Sequence, residues 1–142
     1  QSQDSKFFRT MFVYVFDSAN SAPWTTIPLR QHTLIGWFCF AKSAKVNFKG
    51  VSSVLRHDGS NQEHSEHGQA KPAILPEYFI KTFTKKCEAF ADAFTGSGAS
   101  LVAAEAAGRR CRGIELSPTA CAIALQRFQD STNITPKLHA SA

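Results

Sequence analysis

Two carboxylates and a pair of glycines are the residues of this chain best placed to do chemistry. Asp92 precedes the turn Thr95-Gly96-Ser97-Gly98, and Glu115 follows that turn by about 20 residues. An acidic side chain at that distance can accept hydrogen bonds from both hydroxyls of a ribose. Asp92 can hold a cationic or amino group of the same ligand. Gly96 and Gly98 lack a Cβ, so the backbone can take positive φ there and a ligand can come into contact with it. Ser97 between them offers a hydroxyl and an N–H. These groups make half of a nucleoside-binding site. The same spacing also fits a tight strand–helix turn that holds no ligand. The third glycine of the dinucleotide fingerprint is absent, since Leu101 follows Ala99-Ser100, and this weighs against a nucleotide-binding oxidoreductase fragment.

Three elements must position these groups. A short apolar strand is expected from Glu88 to Asp92, an alanine-rich helix from about Ala99 to Ala107, and a second strand ending on Glu115. Leu101 and Val102 are available to pack the helix on the sheet. Gly108 suits the position just past the helix, and Arg109 and Arg110 put positive charge at its carboxyl end. Strand, turn, helix and strand form the parallel crossover of open α/β sheets. Ligands of such sheets sit beyond the carboxyl ends of the strands, which here carry Asp92, the glycine turn and Glu115. Ser117 as N-cap and Pro118 in the first turn open a further helix to about Gln129, with Ile123, Leu125 and Phe128 buried. Upstream, Pro72 and Pro76 mark entry to a helix over Glu77 to Thr84, with Tyr78, Phe79 and Phe83 apolar.

The N-terminal half reads as strands. Phe12 to Phe16 is a continuous β-branched and aromatic run, expected to be a buried strand, and residues 1 to 10 are expected to fray. His32 to Phe38 and Val51 to Leu55 are two more candidates. Lys42 to Lys49 is basic and placed to reach a phosphate. Residues 56–70 form a polar loop with His57, His64 and His67; no cysteine accompanies them, so a solvated loop is expected and no metal. Hydrophobic content of 43% and charged content of 19% in 142 residues describe one globular domain at most. The only methionine is Met11 and the chain opens on Gln1, which fits a fragment or a processed product.

The net charge of +5 favours a polyanionic partner mildly. Lys81, Lys85 and Lys86 cluster before the first strand of the crossover, and Arg109, Arg110 and Arg112 after its helix; they meet phosphates or form a solvated face. Cys39, Cys87, Cys111 and Cys121 show no paired short spacing, so neither a zinc site nor a disulfide framework is indicated. Cys111 and Cys121 are expected to pack as small apolar groups. No signal peptide or membrane-length apolar run is present, and a cytoplasmic setting is the default expectation.

The motif Asp92-Ala93-Phe94-Thr95-Gly96-Ser97-Gly98 resembles the cofactor motif of the amino-directed DNA methyltransferases (adenine-N6 or cytosine-N4), usually Asp-Pro-Phe-x-Gly-Ser-Gly. Upstream, the segment from His67 to Glu77 resembles the His-x-x-x-Lys-Pro…Leu stretch of that family. Downstream, the segment from Gly108 to Pro118 resembles its second strand, followed by a helix ending near Arg127-Phe128. The similarity covers roughly residues 67 to 130, about half the chain. It departs at Ala93, and at Ala99-Ser100 where two threonines are common.

The resemblance implies an open, mostly parallel Rossmann-like methyltransferase sheet flanked by helices, an α/β fold present here in incomplete form. It implies one partial domain over 1–142 with its cofactor-binding unit over 71–130. The cofactor would be S-adenosylmethionine, lined by Asp92, Phe94, Gly96, Ser97 and Gly98, with Glu115 on the ribose and Lys71 and Pro72 in the segment that closes over it. Phe94 can equally be read as packing between helix and sheet. The partner would be double-stranded DNA with its target base flipped out. Ser21-Ala22-Pro23-Trp24 is similar to the catalytic Asp/Asn/Ser-Pro-Pro-aromatic tetrapeptide but carries Ala22 for a proline. In that motif the first side chain, here Ser21, hydrogen-bonds the exocyclic amine; proline, here Pro23, stiffens the turn; and the aromatic ring, here Trp24, stacks on the base. A plain turn is the other reading of these four residues, and it leaves a truncated or degenerate module that holds cofactor or DNA without catalysis.

Overall fold

The computed structural model describes residues 8–16, 32–40, 50–57 and 74–139. The chain divides into two compact units, Gln1–Gln62 and Glu63–Ala142.

In the first unit the apolar run makes β1 (Phe8–Phe16), flanked by β2 (His32–Phe38) and β3 (Val54–His57) in the order β2-β1-β3. β2 pairs with β1 antiparallel and β3 pairs with it parallel. The register sets Phe12 opposite Ile35, and Tyr14 opposite Thr33 on one side and Leu55 on the other. Phe12 is 2% exposed and Tyr14 is buried, whereas Met11 is exposed. The run is therefore buried on one face and not on both, as its continuous apolar character led one to expect. Period-two alternation decides which residues point inward, and β2 repeats it, with Thr33, Ile35 and Trp37 the more covered. β1 begins at Phe8, inside the stretch expected to fray; its Phe8 ring meets that of Phe38 edge to face at 5.5 Å. β3 starts three residues later than Val51.

The second unit is built around the parallel pair β4 (Ala89–Asp92) and β5 (Arg110–Gly113). Three helices accompany it: α1 (Ile74–Phe83), α2 (Ala99–Ala106) and α3 (Pro118–Thr132). α2 packs against α1, α3 and β5. Ile80 of α1 is buried with Ala103, Ala104 and Ala107, and Phe90 and Cys111 pack against that cluster from the two strands. Alanine on the α2 side lets the helix lie close to its neighbours, which is why a core this small still excludes water. Burial pushes the Cys111 thiol up, in keeping with a packing role.

Helix ends follow the local chemistry. Gly108 takes φ 65° past α2; its N–H donates to the Glu105 carbonyl, and the Arg109 N–H donates to that of Ala104 at 2.9 Å. That pair of bonds satisfies carbonyls the helix leaves open. The Arg109 guanidinium then donates to the carbonyls of Ala107 and Thr84, fastening the end of α2 to the end of α1. Ser117 caps α3, its hydroxyl accepting from the Ala120 N–H at 3.3 Å. α1 starts at Ile74, earlier than Glu77, because Pro76 in a first turn has no intrahelical N–H to lose. α3 runs on to Thr132 and stops at Asn133 with φ 58°. Leu125, expected inside, is 49% exposed, and Ala124 is the buried residue of α3.

β5 ends at Gly113, two residues short of Glu115. The Ile114 N–H still donates to the Asp92 carbonyl at 2.9 Å, but the Ile114 carbonyl accepts from the Thr95 N–H at 3.1 Å. The pairing thus runs one residue past β5, and the turn after Asp92 brings Thr95 back to it. Truncating Ile80 to alanine removes the only long side chain in the buried cluster of the described residues. Ile80→Ala should cost roughly 2–5 kcal/mol of stability, measured by urea denaturation followed by circular dichroism.

Candidate functional site

At the two strand tips the backbone and two carboxylates are tied into one arrangement. The Asp92 side chain accepts from the Phe94 N–H at 3.0 Å, and the Thr95 hydroxyl donates to the Asp92 carbonyl at 3.3 Å. The turn that follows is held from across the gap: the Gly96 N–H donates to Glu115 Oε2 at 2.8 Å. The other oxygen, Oε1, accepts from the Ser117 N–H at 2.9 Å. One carboxylate therefore spans the glycine turn after β4 and the N-terminal cap of α3.

The charge state follows from those partners. The Ser117 and Gly96 N–H groups, with a smaller contribution from that of Leu116, hold the Glu115 carboxyl below its ordinary value of 4.5, against partial desolvation and the nearby Asp92 charge. An ionised carboxylate has about four lone-pair positions, so its backbone partners leave it capacity to accept from a ligand.

Gly96 (φ 55°) and Gly98 (φ 81°) serve different purposes. Among the described residues a Cβ on Gly96 would meet only the Phe94 carbonyl oxygen at 3.9 Å. A Cβ on Gly98 would stand 2.9 Å from Ala124 Cβ and 3.0 Å from its Cα. Gly98 is small because α3 lies against it. Phe94 is 89% exposed, which rules out packing between helix and sheet, and Ile114 and Leu116 are exposed with it. The tips thus present apolar side chains beside the acidic pair.

Of the residues singled out in the sequence, Asp92, Phe94, Gly96, Ser97, Gly98 and Glu115 come together here. Ser21, Pro23, Trp24, Lys71 and Pro72 lie outside the described residues, as do His64 and His67. Among the described residues no group of three His, Cys, Asp or Glu side chains could hold a metal ion. No helix among them is long and apolar enough to cross a membrane.

Two further residues belong to the arrangement. Thr95 is buried, and its backbone links the turn to Ile114. Arg127 of α3 donates from Nη1 to the Ser97 hydroxyl at 3.2 Å. No sequence signal marked Arg127: it lies three residues after Ala124, and only the Gly98 contact shows that this face of α3 meets the turn.

A lowered folded-state pKa means that Glu115 favours the fold above its unfolded value of 4.5 and loses that contribution as pH falls through the folded value. Glu115→Gln should therefore flatten the acid limb of the stability profile, followed by urea midpoints from about pH 7 down to pH 3. Gly98→Ala forces α3 outward and strains a left-handed residue. It should cost about 1–3 kcal/mol, of which Ala124→Gly recovers only part, because the Ala124 backbone is itself in the way.

A family model for DNA methylases matches residues 3–126 of the chain. Among solved structures, M1.HpyAVI in complex with SAM is similar at a TM-score of 0.69 and 20% identity, over 84% of this chain and 61% of that one. PvuII DNA methyltransferase, described as cytosine-N4-specific, is similar at 0.70 and 24% identity, over 88% and 52%. TTHA0409 from Thermus thermophilus, complexed with S-adenosyl-L-methionine, is similar at 0.64 and 17% identity, over 87% and 54%. At these identities the likeness speaks to the fold: an α/β methyltransferase architecture, of which the chain spans 52% to 61% of those structures' length. No curated protein matches the sequence. With its strand–turn–helix–strand unit in place and the family model matching most of its length, the chain belongs to the DNA methylase family.

Proposed function

We propose that this chain is the cofactor-binding part of an S-adenosylmethionine-dependent DNA methyltransferase acting on an exocyclic amine, adenine N6 or cytosine N4. The observation that carries the reading is the Glu115 carboxylate, fixed by Gly96 and Ser117 with acceptor capacity to spare. In this reading that remaining capacity faces the ribose hydroxyls. Asp92 faces the cationic end of the ligand, Gly96 and Ser97 offer backbone and hydroxyl contacts, and Gly98 lets the turn close on α3. The exposed Phe94 gives the adenosine an apolar surface. Lys71 and Pro72 belong to the segment that closes over the ligand.

The bound cofactor supplies a methyl group on a positively charged sulfur. The chain's own work is then positional: it binds and orients that group and draws the target base, flipped from double-stranded DNA, into line. Ser21, Pro23 and Trp24 are the candidates for holding the amine and stacking on the base. A second reading, a module that keeps the cofactor without catalysis, is favoured by Ala22 where the catalytic motif has proline.

Calorimetric titration with S-adenosylmethionine and its demethylated product tests the first step, and absence of binding to either sinks the proposal. Replacing the ligand's 2′-hydroxyl by hydrogen should cost wild type roughly 1–3 kcal/mol and Glu115→Ala almost nothing. Radiolabelled methyl transfer to duplex DNA separates the two readings: incorporation supports the enzyme, and tight binding without incorporation supports the module.

A further inference from the structure

Arg127 has no part in the motif that carries the acidic pair, yet its guanidinium reaches the glycine turn. It lies on α3, one turn beyond Ala124, the residue against which Gly98 packs. Its Nη1 donates to Ser97 Oγ at 3.2 Å, thirty residues away in sequence, in a half-buried setting. Ser97 sits between two glycines at φ 55° and 81°, where the backbone restricts its neighbours least. Without an anchor the Ser97 side chain would rotate among its staggered rotamers. With the oxygen occupied as acceptor, the hydroxyl proton must point away from Arg127. The charged donor also polarises the O–H and makes it a stronger donor. Among the described residues the hydroxyl donates to no other group.

We propose that Arg127 is a positioning residue of the cofactor turn, acting through Ser97: it fixes the serine rotamer and turns its hydroxyl into a preset donor toward the bound ligand. The inference rests on the cofactor reading of the turn given above. It assigns to α3, which otherwise only buries Gly98, a part in setting affinity.

The test is a double-mutant cycle read by S-adenosylmethionine titration on the full chain. Arg127→Met keeps the apolar stem and removes the donor; Arg127→Lys restores a cationic donor; Ser97→Ala removes the relay. Arg127→Met should weaken binding roughly three- to tenfold and Arg127→Lys should recover most of that loss. In the Ser97→Ala background Arg127→Met should have no further effect, because its path to the ligand is already cut. An equal loss in both backgrounds would show direct contact or a purely structural role and would overturn the proposal. So would unchanged binding by Arg127→Met. Failure of wild type to bind at all would instead remove the cofactor reading itself, so the two failures are distinguishable.

Discussion

The Glu115 carboxylate is the constraint around which the strand tips are arranged. Two backbone N–H groups from separate elements, Gly96 after β4 and Ser117 before α3, converge on its two oxygens. Hydrogen bonds to an ionised acceptor are about twice as strong as neutral ones, and here one side chain supplies both. It thereby fixes the glycine turn relative to the end of β5 and closes the gap left where β5 stops at Gly113. The depressed pKa is the same fact seen from the proton's side. Any ligand approaching the tips meets a carboxylate already oriented, so its binding does not have to meet the entropy cost of ordering it.

α3 completes the arrangement from the opposite side. Its contact with the turn is made by small groups, Ala124 against Gly98, and then by one long one, Arg127 reaching Ser97. Close approach and long reach are complementary. Only because the helix lies within contact of Gly98 does the guanidinium, one turn further along, arrive at the serine. The small residues of α2 do the same for α1, where Ala103, Ala104 and Ala107 admit Ile80.

The crossover was legible because its punctuation is chemical. Gly108 past α2 and Ser117 before α3 leave little freedom in where those helices end or begin, and both stand where residue type places them. The acidic pair was legible from spacing. What the sequence hid were choices that depend on partners. The apolar run of β1 does not say which alternate residues face inward until β2 and β3 are paired with it. Leu125 looks more buried than Ala124 by composition, but the Gly98 contact selects the alanine. That Glu115 grips its own backbone could not be read at all, since the return of the Thr95–Gly96 turn onto Ile114, which brings Gly96 to the carboxylate, is a tertiary event.

The charged groups of the second unit are also unevenly spread along its strands, and this bears on what a ligand meets at each end. Asp92 and Glu115 stand at the carboxyl ends. Lys85, Lys86 and Arg110, all exposed, stand at the amino ends. The separation is not complete, since Arg112 is exposed one residue from the carboxyl end of β5 and Glu88 stands just before β4, its carboxylate accepting from the Lys85 N–H. Lys81 pairs with Glu77, and the Arg109 guanidinium is bound to the carbonyls of Ala107 and Thr84. Strands of four residues at about 3.3 Å each set the two ends roughly 13 Å apart, beyond the screening length of about 8 Å at physiological salt. Exposed charges at that separation hardly feel one another. Charge added at the amino ends would thus leave the Glu115 hydrogen bonds unchanged, and salt would spare those short backbone bonds at the tips. Four residues of strand are thus enough for solvent and salt to screen exposed charge at one end from charge at the other.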